Sequence, residues 1–182
     1  MKILIIEDTD FKAKECLSCL ECFHAECTVV SNEKDAKILL KNRSDFDVIL
    51  LDMELDLSLD LSEGRGSYSG LSILNTMKYN RIQIPVIVFT AYRNFSEMKP
   101  TSDPKNLLFL YNDCYFYPNI LPKIQAGFDT RYLDGLHNYM CYRYSNYVGV
   151  VEYSVYNSIW KRNLQNIIYK CMETKKYENT NC

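Results

Sequence analysis

The stretch Asp47–Asp52, which reads Asp-Val-Ile-Leu-Leu-Asp, decides the fold of this chain. An unbroken apolar run between two aspartates is typical of a strand that is buried on both faces of a parallel sheet. We therefore expect residues 46–51 to form a strand whose last residue is followed by Asp52. A carboxylate at that point lies at the edge of the sheet, where ligands bind in open parallel sheets.

Two other apolar runs end in polar side chains in the same way. Residues 2–6 are followed by the acidic pair Glu7 and Asp8, and the run that begins at Pro85 ends in Thr90. A single acidic residue at a strand end is uninformative, but these three endings together are unlikely to arise by chance. The three strands are therefore expected to contribute to one shared site.

Between these strands the sequence alternates with helical spacing. Further strands are expected at Glu26–Val30 and Tyr147–Tyr153. Four helices are expected: one over residues 10–22, one that begins after a cap at Ser31 and Asn32, one that begins at Leu71, and one around Trp160. Strands that alternate with helices indicate parallel βαβ units with right-handed crossovers. The predicted fold is α/β, a flavodoxin-like doubly wound parallel sheet of five strands in the order 2-1-3-4-5, with an insertion between strand 4 and strand 5.

The first helix has a predicted apolar face. Phe11, Cys16, Leu20 and Phe23 are expected near that face, and charged residues such as Lys12 are expected elsewhere on the helix. We predict one domain over residues 1–172, with embellishments at 53–69 and 92–146, and a flexible polar tail at 173–182. Within the second embellishment, residues 107–111 are expected to form an extra strand and residues 130–142 a helix.

Bulk composition excludes several function classes. The 182 residues are 47% hydrophobic and 24% charged, with a formal net charge of -2, which is ordinary for a globular protein. We expect no nucleic-acid partner and no membrane association, because there is no basic excess and no apolar run of about 18 residues. The first residues lack the pattern of a signal peptide, so a cytoplasmic location is expected.

The three strand endings predict a particular chemistry. Glu7, Asp8 and Asp52 would converge, and carboxylates packed together repel one another unless a proton or a cation relieves the repulsion. Mg²⁺ is the expected cofactor, because it prefers oxygen ligands and also neutralises a phosphoryl group. Asp52 is the candidate nucleophile, since an aspartate can form an acyl phosphate. Thr90 would donate a hydrogen bond to a phosphoryl oxygen.

These residues resemble the response-regulator receiver domain of two-component signalling. The resemblance is carried by Ile3–Asp8, Asp47–Met53, Gly70–Leu74 and Pro85–Ala91, covers residues 1–91, and extends more weakly over 147–172. It implies a signalling domain in a phosphorelay rather than an enzyme, one that at most catalyses its own phosphorylation and dephosphorylation at Asp52.

The resemblance also implies partners and residue roles. The partners are a histidine kinase or phosphotransfer protein and a separate output protein, and a homodimer is left open. Glu7 and Asp8 correspond to the metal-binding acids, Asp52 to the phosphoacceptor, and Thr90 to the switch hydroxyl. Glu54 corresponds to the position whose backbone carbonyl binds the metal.

Three departures from the family pattern stand out. The family has a lysine at the end of strand 5, whereas residues 151–156 read Val-Glu-Tyr-Ser-Val-Tyr and contain no cation. The loop after Asp52 is longer than usual, and residues 92–146 replace a short helical connection. A substitute for the lysine could come from a basic residue of the insertion, such as Arg93, Lys99, Lys105 or Lys123.

Other patterns are weaker. Cys16, Cys19, Cys22 and Cys27, with His24 nearby, superficially resemble a metal-binding run, but three of them share a helix and are expected to pack as small apolar residues. The acidic residues after Asp52 do not have the spacing of a calcium-binding EF-hand. A Toprim-like metal site is disfavoured, because no basic groove accompanies it.

Two functional hypotheses follow. In the first, Asp52 is phosphorylated with Mg²⁺ in a stand-alone receiver that signals to another protein. In the second, the chain is a degenerate receiver that acts as a protein-interaction module without phosphate and binds through the insertions and the face of strands 4 and 5. Whether the tyrosine-rich insertion serves packing or recognition is left open. The retained acidic residues favour the first hypothesis.

Overall fold

The computed structural model describes residues 1–43, 45–55, 69–90, 140 and 143–180, with side chains as far as residue 173. Two compact units are present, one formed by Met1–Ala91 with Tyr144–Cys182 and the other by Tyr92–Arg143. The second unit lies almost wholly outside the described residues. The extra strand at 107–111, the helix at 130–142 and the basic residues of the insertion therefore lie outside them too.

Five strands and four helices make up the described part of the first unit. In chain order they are β1 (Lys2–Ile6), α1 (Asp10–Leu20), β2 (Glu26–Val30), α2 (Glu33–Asn42), β3 (Val48–Leu51), α3 (Ser69–Tyr79), β4 (Val86–Thr90), β5 (Tyr147–Glu152) and α4 (Ile159–Thr180). A short 3₁₀ turn, Glu21–Phe23, follows α1. Each of the five strands predicted for the main sheet is present, and the ends agree to within two residues.

All strand pairs are parallel, and the sheet has the order β2-β1-β3-β4-β5. The predicted order 2-1-3-4-5 is thus confirmed. This order is one of the few that cover both faces with helices through right-handed crossovers. Strands β1 and β3 are neighbours, with Ile6 opposite Leu51. The residues that follow these two strands are therefore adjacent at one edge of the sheet.

The core on one face of the sheet is built by α1 and α4. Buried side chains from alternate positions of the strands pack there against Cys16, Leu20, Trp160 and Leu164. The opposite face is buried as well, because Leu4 and the other intervening residues of β1, β3 and β4 are fully covered. Both faces of the central strands are therefore closed to water, as continuous apolar strands predict.

The helices begin and end where local chemistry allows. The side chain of Asn32 accepts a hydrogen bond of 2.8 Å from the backbone N–H of Asp35, so the predicted cap of α2 is confirmed. Helix α4 continues to Thr180, beyond the point at Glu173 where a polar tail was expected. Residues 173–180 contain neither glycine nor proline, and several are good helix formers, so the helix has no local reason to stop.

One prediction for α1 is wrong. Phe11 is 60% exposed, and Lys12 is buried with an exposed fraction of 3%. Positions 12, 16, 19 and 20 are spaced i, i+4, i+7 and i+8, so they share one face of the helix. Phe11 is rotated away from that face. The helix therefore buries Lys12 near its N-terminal end, beside Asp52.

Candidate functional site

Three carboxylates meet at the edge of the sheet beyond β1 and β3. Oxygens of Glu7, Asp8 and Asp52 all lie within 4.8 Å of one another. The backbone N–H of Asp52 donates to the carbonyl of Ile6 at 2.9 Å, which joins the two strand ends directly. The convergence expected from the strand endings is thus present, and it follows from the parallel pairing of β1 with β3.

Backbone and hydroxyl groups next to the carboxylates hold them in position. The N–H of Thr9 donates to Glu7 Oε1 at 3.0 Å, and the Thr9 hydroxyl donates to Asp8 Oδ1 at 3.3 Å. The N–H of Met53 donates to Asp52 Oδ1 at 2.7 Å. Hydrogen bonds of this kind favour the ionised carboxylate. The cluster is therefore oriented by its own chain neighbours.

A buried lysine that the sequence reasoning missed completes the cluster. Lys12 Nζ lies 2.6 Å from Glu7 Oε2 and 2.8 Å from Asp52 Oδ2, and the three side chains are almost inaccessible to water. The spacing of Lys12 from Cys16, at i and i+4, was the signal that could have found it. Residues 151–156 at the end of β5 contain no basic residue, and among the described residues the ammonium beside Asp52 belongs to Lys12.

Aromatic rings surround this ammonium on the core side. Lys12 Nζ lies 5.0 Å from the ring centroid of Phe89 and 5.8 Å from that of Tyr153. Both rings pack on Trp160, with centroids 5.3 and 5.1 Å from its ring. The Tyr153 hydroxyl donates to Glu15 Oε2 at 2.6 Å. The lysine is thus held by ring faces as well as by carboxylates.

Burial shapes the electrostatics of the cluster. The pKa of Glu7 is raised to about 7, chiefly because burial disfavours its charged form, and the nearby Asp52 adds to the rise while Lys12 opposes it. When all three carboxylates are ionised, one ammonium leaves the cluster with two uncompensated negative charges. The arrangement is therefore receptive to a divalent cation or to a proton on Glu7.

Thr90 ends β4 at the same edge of the sheet. It is 2% exposed, and its backbone carbonyl accepts a hydrogen bond of 2.8 Å from the N–H of Tyr153. Because Leu51 pairs with Val88 in the parallel register of β3 and β4, Thr90, the last residue of β4, lies at the level of Met53. The threonine thus lies on the flank of Asp52 toward β5.

The backbone after Asp52 is fixed against the start of α3. The N–H of Gly70 donates to the Met53 carbonyl at 3.2 Å, and the N–H of Leu55 donates to the Ser69 hydroxyl oxygen at 2.8 Å. Glu54, the predicted carbonyl ligand, lies in this fixed stretch with its side chain exposed. The rest of the long loop, residues 56–68, is outside the described part of the chain.

The donor set fits Mg²⁺. Carboxylate oxygens in a tight group, with an excess of negative charge, are what a hard divalent cation requires. Asp8, Asp52 and the carbonyl of Glu54 would hold the ion, since Asp8 is half-buried and lies on the side of the cluster nearer to solvent. The buried side is already filled by Lys12. In the described residues this acidic group is the sole cluster with the geometry of a metal site.

The cysteines do not form a second site among the described residues. Cys16 and Cys19 are buried, as expected for small apolar side chains, whereas Cys22 is exposed, against that expectation; all three are free thiols. Burial raises the pKa of Cys19 to about 11 and raises that of Cys16 further. Protonated thiols are poor metal ligands.

Comparisons with known proteins agree on the architecture. No protein-family model matches the sequence, and no curated protein matches it. Solved structures do match: the signal receiver domain of a putative LuxO repressor from Vibrio parahaemolyticus has a TM-score of 0.58 and 17% identity, over 98% of this chain and 95% of that one. The chain has the receiver-domain fold.

Two further receiver domains show the same correspondence. The N-terminal domain of a response regulator/sensory box/GGDEF protein from Carboxydothermus hydrogenoformans has a TM-score of 0.55 and 17% identity, over 98% of both chains. A receiver domain from Clostridium thermocellum has a TM-score of 0.52 and 18% identity, over 97% of both chains. Identities this low establish the fold alone. None of the helices in the described ranges has the length and apolar character needed to cross a bilayer.

Proposed function

We propose that this chain is a receiver-like signalling protein that accepts a phosphoryl group on Asp52 with Mg²⁺ bound beside it. One observation carries the proposal: Asp52, at the end of β3, lies within 4.8 Å of Glu7 and Asp8 on a receiver-domain fold. A fold alone does not define a function, and this cluster supplies the chemistry that the proposed function needs. The phosphoryl donor would be a histidine kinase or a phosphotransfer protein.

The transfer step is a displacement at phosphorus. A carboxylate oxygen of Asp52 attacks the phosphorus of the donor, a new O–P bond forms, and the bond from phosphorus to the leaving group breaks. The leaving group takes the electron pair with it. Mg²⁺, when bound, neutralises charge on the phosphoryl oxygens. The residues of this chain orient the acceptor through the Met53 N–H and keep its surroundings nearly dry.

The proposal gives Thr90, the last residue of β4, the role of a hydroxyl that responds to phosphorylation. Its side chain can donate a hydrogen bond to a phosphoryl oxygen on Asp52. Its carbonyl is bonded to the N–H of Tyr153, so a shift of Thr90 would be transmitted to the end of β5. The signal would then reach a separate output protein through the β4 and β5 side of the sheet.

The test is incubation of the purified chain with Mg²⁺ and acetyl phosphate. We expect one phosphoryl group per chain, in a linkage that is labile to hydroxylamine, and we expect none on Asp52→Asn. Asp45→Asn is a matched control, because Asp45 is an exposed aspartate bonded to Lys2 at the opposite end of β1. Failure of the wild-type chain to become modified would contradict the proposal.

A degenerate receiver that binds partners without phosphate is the second candidate. It is favoured by the residues at the end of β5, where Tyr153 points its hydroxyl to Glu15 and no lysine is present. The same incubation separates the two candidates, since an interaction module needs no acyl phosphate. A wild-type chain that stays unmodified would support this second reading.

A further inference from the structure

The buried ammonium of Lys12 has salt-bridge partners but lacks a complete set of hydrogen bonds. Neither Lys12 Nζ nor Glu7 Oε2 has a hydrogen-bond partner of good geometry among the described residues, although the two atoms are 2.6 Å apart. Burying a charged donor in this way is unfavourable unless something else in the functional state compensates.

We propose that Lys12, extending from α1, is the cation that pairs with Asp52 before phosphoryl transfer and with the phosphoryl oxygens after it. Receiver domains are expected to place a lysine for this purpose at the end of the fifth strand, and this chain has none there. The inference rests on the proposed phosphorylation of Asp52. It assigns to a helix residue a task for which the family pattern uses a strand residue.

The contact distances suit this task. Lys12 Nζ lies 2.8 Å from Asp52 Oδ2, so a phosphoryl group attached to that carboxylate would bring its oxygens within reach of the ammonium. An ammonium group has three N–H donors, and charge-assisted hydrogen bonds to phosphoryl oxygens are stronger than neutral ones. The phosphoryl oxygens would therefore offer the ammonium further acceptors beside the carboxylates of Glu7 and Asp52.

The surroundings of Lys12 fix its position. Phe89 and Tyr153 present their rings to the ammonium, and the Tyr153 hydroxyl is anchored on Glu15 of the same helix. Glu15 also forms a salt bridge of 3.4 Å with Lys161 of α4. Tyr153 is thus a positioning residue: it stands at the end of β5 and forms one wall of the pocket for the lysine.

Lys12 and a metal ion would occupy different sides of Asp52. The described salt bridges of Lys12 go to Glu7 and Asp52 on the buried side, whereas Asp8 is half-buried toward solvent. The two cations nevertheless repel each other across the cluster. Removing the charge at Lys12 is therefore expected to change phosphorylation and Mg²⁺ binding in opposite directions, which generalised structural damage would not do.

The experiment compares the wild-type chain with Lys12→Met and with Lys14→Met. Lys14 lies on the same helix but is exposed, so its variant controls for loss of a positive charge on α1. For Lys12→Met we expect acetyl phosphate to modify Asp52 about 100-fold more slowly, because a preorganised charge partner is lost. We expect Mg²⁺ affinity, measured by calorimetry, to rise about tenfold, because a competing cation is gone. Lys14→Met should behave as the wild type does.

The outcomes separate the two proposals. If the wild type is never modified, the phosphorylation proposal is wrong and the role of Lys12 is overturned along with it. If the wild type and Lys12→Met are modified at equal rates, phosphorylation stands and the role of Lys12 is overturned. A parallel loss of rate and of Mg²⁺ affinity also overturns it, since that pattern indicates damage. Should Lys12→Met fail to fold by circular dichroism, Lys12→Gln replaces it under the same criteria.

Discussion

Lys12 offsets part of the negative charge of Glu7, Asp8 and Asp52 at the edge of the sheet. Glu7 and Asp52 are both nearly closed to water, and each has a carboxylate oxygen within 2.8 Å of the Lys12 ammonium. Removing one member of a buried ion pair typically destabilises a protein by about 3–5 kcal/mol, because the remaining charge stays buried. Mg²⁺ would offset part of that loss. The lysine therefore allows the acidic cluster to persist without a metal.

Gly70, near the start of α3, lies close to the backbone of Asp52 and Met53. A Cβ atom at this position would lie 2.7 Å from both the Asp52 carbonyl oxygen and Met53 Cα, which are backbone atoms that cannot easily move. Alanine ordinarily stabilises a helix relative to glycine by about 1 kcal/mol. We predict the opposite for Gly70→Ala, a destabilisation of about 1–3 kcal/mol by overpacking, measured by urea unfolding.

Gly149 of β5 provides the matched control for that substitution. Its Cβ would lie 3.3 Å from Ile167 Cδ1, the flexible end of a side chain that can shift by a few tenths of an ångström. Gly149→Ala should therefore change the free energy of unfolding less than Gly70→Ala does. An equal or larger loss at Gly149 would show that the contact with the acceptor strand is not the cause.

Reasoning from sequence found the acidic residues of the site but missed the basic one. Glu7, Asp8 and Asp52 could be predicted because parallel neighbouring strands end at one edge, whatever the details of packing. Lys12 was missed because a lysine on an amphipathic helix is ordinarily exposed. The apolar Phe11 next to it was expected near the buried face instead. The rotation of α1 about its own axis is set by its tertiary contacts with α4. The helix propensities of its residues do not predict that rotation.

At the scale of elements, Tyr153 connects the end of β5 with α4 and α1. It follows β5, its ring contacts Trp160 of α4, and its hydroxyl donates to Glu15 of α1 at 2.6 Å. We predict that Tyr153→Phe lowers the free energy of unfolding by about 1–2 kcal/mol, since a hydrogen bond to a charged acceptor is lost. Chemical denaturation followed by circular dichroism measures the change.

Tyr156→Phe serves as the control for that loss. Tyr156 is 90% exposed, so removing its hydroxyl should alter stability by less than about 0.5 kcal/mol. If Tyr153→Phe changed the free energy of unfolding as little as Tyr156→Phe does, the hydrogen bond to Glu15 would contribute nothing to the joining of α1 with the end of β5.

The bounds of helices and strands were predictable where residues close together in the sequence determine them. The cap at Asn32 and the apolar run at 48–51 both appear in the sequence and in the structure. Strand β3 begins at Val48 rather than at residue 46, because Asp47 instead makes contacts with Lys2: its N–H donates to the Lys2 carbonyl, and its side chain accepts from the Lys2 N–H. Such cross-strand contacts are not visible in a local pattern.

At the scale of the whole molecule, the strand order followed from topology. Alternating elements with right-handed crossovers leave few arrangements, and the order β2-β1-β3-β4-β5 is one of them. Sequence reasoning had less to say about residues 92–143, where prolines interrupt the pattern and no periodicity identifies a face. Because the receiver fold is shown by likeness at under 20% identity, function must be argued from the site.

The most direct test of the central claim is to locate the modified residue chemically. After incubation with Mg²⁺ and acetyl phosphate, borohydride reduces an aspartyl phosphate to homoserine, and peptide mass spectrometry then identifies the position. We predict homoserine at residue 52 and aspartate unchanged at Asp8 and Asp45. Homoserine at another position, or none anywhere in the chain, would contradict the assignment of Asp52 as the phosphoacceptor.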